Sequence, residues 1–228
     1  SNSKYPLFIA VDEEGGDVAR VANSGFFDVA SYKSMAEVGK TDNLAKAEEV
    51  GRKIGFYLKK LGFNYDFAPV ADVNTNPDNI VIGDRSYGDN PVTVGKMVSA
   101  QLDGMHQSGI IGTLKHFPGH GDTKDDTHSG YVSVNKSWDE LKACELIPFL
   151  SALDKADTIM VSHITVTSAD KLPSSLSYEI ITRKLRNELG YNGVIITDSM
   201  AMGAVADSYT SDIAAVMAVK AGVDIILM

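Results

Sequence analysis

Between Lys115 and His128 the chain places three histidines and three aspartates in fourteen residues, Lys115-His116-Phe117-Pro118-Gly119-His120-Gly121-Asp122-Thr123-Lys124-Asp125-Asp126-Thr127-His128, directly after the apolar run 110–114. Histidine titrates near neutrality and a nearby aspartate can set its tautomer, so Asp126 and His128, two positions apart, are equipped for proton transfer. The glycines and the proline favour an irregular surface loop over a packed helix. A second candidate is Asp198, which closes the run Val194-Ile195-Ile196-Thr197 and would be aimed by a rigid strand. Its competing reading is a helix N-cap before Ser199-Met200-Ala201-Met202. His116, His120 and His128 with Asp122 or Asp126 also make a conceivable metal set, but no His-Glu-x-x-His pattern supports a metallohydrolase.

Such groups need elements to position them. Six short apolar runs, at 7–11, 64–70, 111–116, 158–163, 194–197 and 223–228, alternate with helical patterns, as in a parallel sheet wrapped by helices. Leu44, Val50, Ile54, Leu58 and Leu61 predict a helix after Thr41 and Asp42 as cap and before Gly62; Val94, Met97, Val98, Leu102 and Met105 predict another before Gly109. Ser137 and Glu140 form a capping-box pattern for a third, which Pro148 should kink or split. A fourth spans about 177–189 and ends at Gly190, and a fifth follows Ser211 and stops at Gly222. The chemically rich segments, Asp12-Glu13-Glu14-Gly15-Gly16, 72–85, 115–128, Ser162-His163 and Asp198-Ser199, all follow the carboxyl end of a predicted strand. That placement argues for a (β/α)-barrel enzyme. A dinucleotide-binding sheet is disfavoured by the absence of Gly-x-Gly-x-x-Gly, and no phosphate-loop pattern is present.

With 228 residues and 44% hydrophobic content the chain can bury one large core, and no linker, repeat or low-complexity tract divides it. No apolar run approaches the roughly twenty residues of a membrane span, so a soluble chain is expected. A net charge of −9 disfavours nucleic acid and favours a neutral or weakly charged partner. The single cysteine, Cys144, excludes an internal disulfide and reads as plain core on a helix. No signal-peptide pattern is visible, and Ser1-Asn2-Ser3 reads as an expression scar, which leaves cytoplasmic and secreted locations open.

The motifs Val11-Asp12-Glu13-Glu14-Gly15-Gly16, Asp66-Phe67-Ala68-Pro69-Val70-Ala71-Asp72-Val73, Arg85-Ser86-Tyr87-Gly88, Lys115-His116-Phe117-Pro118-Gly119-His120-Gly121-Asp122-Thr123 and Ile196-Thr197-Asp198-Ser199-Met200 together resemble glycoside hydrolase family 3, in order and across nearly the whole chain. The Lys-His-Phe-Pro-Gly-His-Gly form resembles the β-N-acetylglucosaminidase branch more than the β-glucosidase branch. The resemblance implies that residues 1–228 are the family's N-terminal catalytic domain, a TIM-type α/β barrel. It further implies a retaining exo-glycosidase that removes terminal β-linked N-acetylglucosamine without metal or other cofactor. Asp198 matches the nucleophile, and His128 with Asp126 matches an acid/base dyad that replaces the usual second carboxylate. Asp12, Arg20, Arg85, Lys115 and His116 match substrate-binding positions. His163, at the end of its run, reads either as a further substrate-binding residue or as a satisfied core histidine.

Several alternatives stay open beside this reading. A neutral imidazole repels an anionic acceptor less than a carboxylate would, so phosphorolysis fits as well as hydrolysis, and a β-glucosidase-type activity is the other variant. An inactive sugar-binding module is opposed by the joint presence of Asp198 and His128. The natural glycan could be a peptidoglycan fragment, a chitooligosaccharide or a glycoconjugate. One departure is Asp17, where relatives usually carry a basic residue after Glu-Gly-Gly, which puts any anionic-substrate contact there in doubt. Finally, a (β/α)8 barrel takes about 250 residues and eight strands, whereas six runs are visible. The barrel is therefore expected to be incomplete by roughly one strand at each end, with open apolar edges that invite a homo-oligomer.

Overall fold

A computed structural model describes residues 7–123, 127 and 130–228. Five short strands, Ala10–Val11, Tyr65–Asp66, Thr113–Phe117, Thr158–Val161 and Val194–Thr197, run parallel in chain order. Parallel bridges join Tyr65 to Ile111 and Val70 to Lys115, and a last one, Ile196 to Ile225, adds the sixth run as a neighbour. Each step from one strand to the next passes through helix, the connection that parallel neighbours require. The fold is thus α/β, and among the described residues no pairing joins the segment around Ile225 back to Ala10–Val11.

The strands are apolar on both faces because both are covered. Ile159, Val161 and Ile195 pack into the main core with Ile54, Leu58, Leu102, Phe149 and Ile180 from the surrounding helices. Met160 and Ile196, which alternate with them, belong to a small second core with Tyr65 and Phe67 on the inner side of the sheet. The outer runs form less strand than expected. Leu7, Phe8 and Ile9 stay exposed, and the 223–228 run contributes only the bridge at Ile225. Neither stretch has a strand partner on its second side among the described residues.

The helices follow their start and stop signals with local corrections. Leu44–Lys60 is capped by Asn43, not by Thr41 or Asp42, because the Asn43 side chain accepts from the Ala45 amide. Pro91–Gln107 is capped by Asn90 with the proline in its first turn. These two helices touch through their backbones. A Cβ on Gly51 would lie 2.0 Å from the Gln101 carbonyl oxygen, and one on Gly104 would lie 2.0 Å from that of Glu48. The Ser137 capping box opens Trp138–Ala143, and the chain restarts as Ile147–Ser151 with Pro148 in its first turn, which is the split that proline imposes. Cys144 is not core: it ends Trp138–Ala143 with non-helical backbone and is only half-buried. The fourth helix, Glu179–Glu188, is wound as a π-helix, and Ser211–Ala221 ends at Gly222 in the left-handed conformation. No described helix is long and apolar enough to cross a membrane.

Candidate active site

At the carboxyl ends of the strands lies a cavity of about 230 Å³, lined by Asp12, Glu14, Arg20, Arg85, Lys115, His116, His120, Thr127, Asp198 and Ser199, with Met160, Met202 and Leu227 as apolar wall. Of the residues singled out in the sequence, Asp12, Arg20, Arg85, Lys115, His116 and Asp198 are brought together here. Asp126 and His128 lie outside the described residues.

One end of the cavity is a lattice of buried charge. Lys115 is 2% exposed at its side chain, and its Nζ donates to Asp12 Oδ1 at 2.8 Å and reaches Glu14 Oε1 at 2.6 Å. Arg85 donates from Nε and Nη2 to the two oxygens of Glu14, both at 2.8 Å, and from Nη1 to the Val81 carbonyl. This fork on a carboxylate is the geometry for which arginine is suited. Burial alone would raise the pKa of Glu14, but Lys115 and Arg85 bring it down to about 2. Burial likewise disfavours the Lys115 ammonium, yet Glu14 and Asp12 outweigh it and raise its pKa. Both members of the pair are therefore charged. Asp12, with 38% of its side chain exposed, keeps oxygen lone pairs toward the opening.

Glu14 was not singled out by sequence reasoning. The signal available was three consecutive acids at a strand end, and burial divides their work. Glu13 turns to the core, where it accepts from the amides of Val21 and Ala22 and from Tyr57 Oη at 2.6 Å. Glu14 binds the two cations, and Asp12 faces the cavity.

Lys115 and His116 are sequence neighbours, which regular strand alternation would send to opposite faces. The pairing register shifts between Leu114 and Phe117, and both side chains line the cavity. His116 Nδ1 donates to Asp72 Oδ2 at 2.7 Å; Asp72 also accepts from the amides of His116 and His120. Although burial opposes ionisation, His116 and His120 hold the Asp72 carboxyl below the usual range.

Asp198 directly follows Val194–Thr197, and its amide donates to the Val161 carbonyl at 2.9 Å, which ties it to the sheet. Its Oδ1 accepts from the Ser199 amide at 2.8 Å. Burial would raise its pKa, but His116, His163, the Ser199 amide and Lys115 together hold it below the ordinary value. It is not a helix N-cap, since the next helical turn, Gly203–Ala206, starts after Met202. His163 is corrected to a core histidine. It is 1% exposed and does not line the cavity, its Nδ1 lies 2.7 Å from Ser175 Oγ and its Nε2 donates to the Ser199 carbonyl at 2.8 Å. Its bond to the Ser199 carbonyl ties it to the segment that carries Asp198.

Of the conceivable metal set, His128 and Asp126 lie outside the described residues, and the described members have other partners. Asp122 pairs with Lys136 at 3.1 Å, His116 is committed to Asp72, and among the described residues no cluster of three or more His, Cys, Asp or Glu is placed to hold a metal ion. His120, weighed in the sequence only as part of the metal set, lines the cavity from the same loop. Asp17 lies on an adjacent wall with Asp84, outside the cavity that holds Asp198.

The profile of the Glycosyl hydrolase family 3 N terminal domain matches residues 1–228. The chain belongs to this family. Among curated relatives, Beta-hexosaminidase A of Pseudoalteromonas piscicida is 38% identical over 100% of this chain and 40% of its own length. Beta-hexosaminidase of Idiomarina loihiensis is 36% identical over 98% of this chain and 67% of its own. Among solved structures, a family 3 β-N-acetylglucosaminidase from Paenibacillus sp. str. FPU-7 superimposes with a TM-score of 0.92 at 40% identity, covering 98% of this chain and 42% of that one. The chain thus spans between about two fifths and two thirds of the length of these proteins.

Proposed function

We propose that this chain is the catalytic domain of a retaining exo-glycosidase that removes terminal β-linked N-acetylglucosamine. The observation that carries the reading is an ionised, strand-anchored Asp198 in one cavity with Asp12, Arg85, Lys115 and His116. The sugar ring is held by that lattice. Asp12 accepts from hydroxyls, and Lys115, with two of its three hydrogens on Asp12 and Glu14, keeps one donor for the sugar. Arg20, at the cavity wall, supplies a further cation.

The reaction runs in two steps. An Asp198 oxygen forms a bond to C1 as the C1–O bond to the leaving group breaks, and His128, oriented by Asp126, gives its proton to the leaving oxygen. Water then attacks C1, His128 takes the water proton, and Asp198 leaves. The six parallel neighbours in chain order support a TIM-type barrel wall, open among the described residues, and the exposed Leu7–Ile9 edge is where a second copy would pair.

The decisive experiment is turnover of an aryl N-acetylglucosaminide with and without chelator. Chelator-insensitive release, with a fluorinated glycoside trapped on Asp198 by mass, is the expected result. Loss with chelator supports a metallohydrolase, absence of turnover with retained sugar binding supports an inactive module, and a sugar phosphate formed in phosphate buffer supports phosphorolysis.

A further inference from the structure

Thr127 stands between the two residues of the acid/base dyad in sequence, is 2% exposed, and lines the cavity. Two contacts hold it. Its carbonyl accepts from the Ala204 amide at 3.0 Å, which binds it to the segment after Asp198, and its Oγ1 lies 3.4 Å from His120 Nε2. Thr123 determines the direction of that second bond. Its hydroxyl donates to the His120 carbonyl at 3.0 Å, so in its 2.8 Å contact with the ring the donor is His120 Nδ1–H. Nε2 is then the acceptor, and the Thr127 proton points to it. Burial pushes the pKa of His120 down, which keeps the ring in this neutral form. With its proton turned inward, the Thr127 oxygen offers only lone pairs to the cavity.

We infer that Thr127 is a specificity-determining residue whose hydroxyl oxygen accepts the acetamido N–H at C2 of the sugar, with His120 as the positioning residue that turns the hydroxyl. The inference rests on the reading of Asp198 as nucleophile, which places C1, and C2 beside it, at the Asp198 end where the Ala204 contact holds Thr127. Glu14, Arg85 and Lys115 are bonded to one another, and the donor that Lys115 keeps free reads another position of the ring.

The test is binding, measured by NMR titration of the chain with N-acetylglucosamine and with 2-deoxyglucose, which lacks any C2 donor. Thr127→Val should weaken N-acetylglucosamine about tenfold, the scale of one buried hydrogen bond, and leave 2-deoxyglucose within twofold. Thr127→Ser should retain the selectivity, and Thr127→Ala serves as a second hydroxyl-free variant. His120→Phe should reduce the same selectivity in the parent chain and add nothing to Thr127→Val. Equal losses for both sugars, no loss, or a parent chain without preference for N-acetylglucosamine would overturn the inference. A parent chain that shows the selectivity but never turns over an aryl glycoside would instead count against the glycosidase reading.

Discussion

The two ends of the cavity are built on opposite principles. At the Lys115 end, a 2%-exposed ammonium and a 1%-exposed carboxylate are locked to each other and to Arg85, and their donors and acceptors are nearly all committed. At the Asp198 end, the carboxylate has one hydrogen-bond donor among the described residues, the Ser199 amide, and is kept ionised mainly by charges that do not bond to it. The contrast separates recognition from chemistry. A lattice that must read hydroxyl positions gains from rigidity, whereas a nucleophile needs an unoccupied lone pair and an ionised state at once. Removing a group should therefore damage activity at one end and folding at the other.

The largest effect is expected from Asp198→Asn. The change is isosteric and the residue donates little to the packing, so the melting temperature should stay within a few degrees while turnover falls by roughly four orders of magnitude or more. Activity within tenfold of the parent would break the assignment of chemistry to this end. Next comes His128→Ala, which should cost about 10²- to 10⁴-fold on glycosides with poor leaving groups and far less on activated aryl glycosides, whose leaving oxygen needs little protonation. An equal loss across leaving groups would mean that His128 positions the sugar and does not supply the proton.

Lys115→Met tests the other end. It leaves Glu14 buried beside only one cation, and urea unfolding should report a loss of about 3 kcal/mol. A variant as stable as the parent would show that the lattice serves binding alone. The smallest effect is a pH dependence. Glu14 titrates at about 2 in the fold against an ordinary value of 4.5, so its contribution is fully present above about 4.5 and disappears as pH falls toward 2. Glu14→Gln should flatten stability across that acid window, read by thermal melts between pH 5 and about 2. A slope unchanged by the substitution would remove Glu14 as its source.

Much of the scaffold was legible in the chain itself. Val194–Thr197 is the strand that its β-branched run predicts, and Gly222 and the Ser137–Glu140 pair mark helix ends where the structure has them. Local rules suffice there because the interactions are within one turn or one strand. They fail where near-equal local signals compete or a distant neighbour decides. Asn43 and not Asp42 caps its helix, and Leu7–Ile9, apolar enough for a strand, is held by Asn64 through its side chain as well as its backbone and stays exposed.

The candidate site divides the same way. Residue order alone determined that carboxylates and histidines follow the carboxyl ends of parallel strands, since side-chain type and strand patterning are properties of the chain; this brought Asp198 into view, and the resemblance to family 3 singled out Asp12, Arg85, Lys115 and His116. Which of Asp12, Glu13 and Glu14 meets the cavity, the core or the buried cations was decided only by tertiary contacts, with Tyr57 44 positions and Arg85 71 positions away along the chain. His163 shows the same limit, for its place after an apolar run suits a site or a core equally, and it is its burial in the fold, with Ser175 and the Ser199 carbonyl beside it, that places it in the core. A side chain's chemistry is written in its residue type, but its protonation and its free lone pairs depend on burial and on partners that only the folded chain supplies.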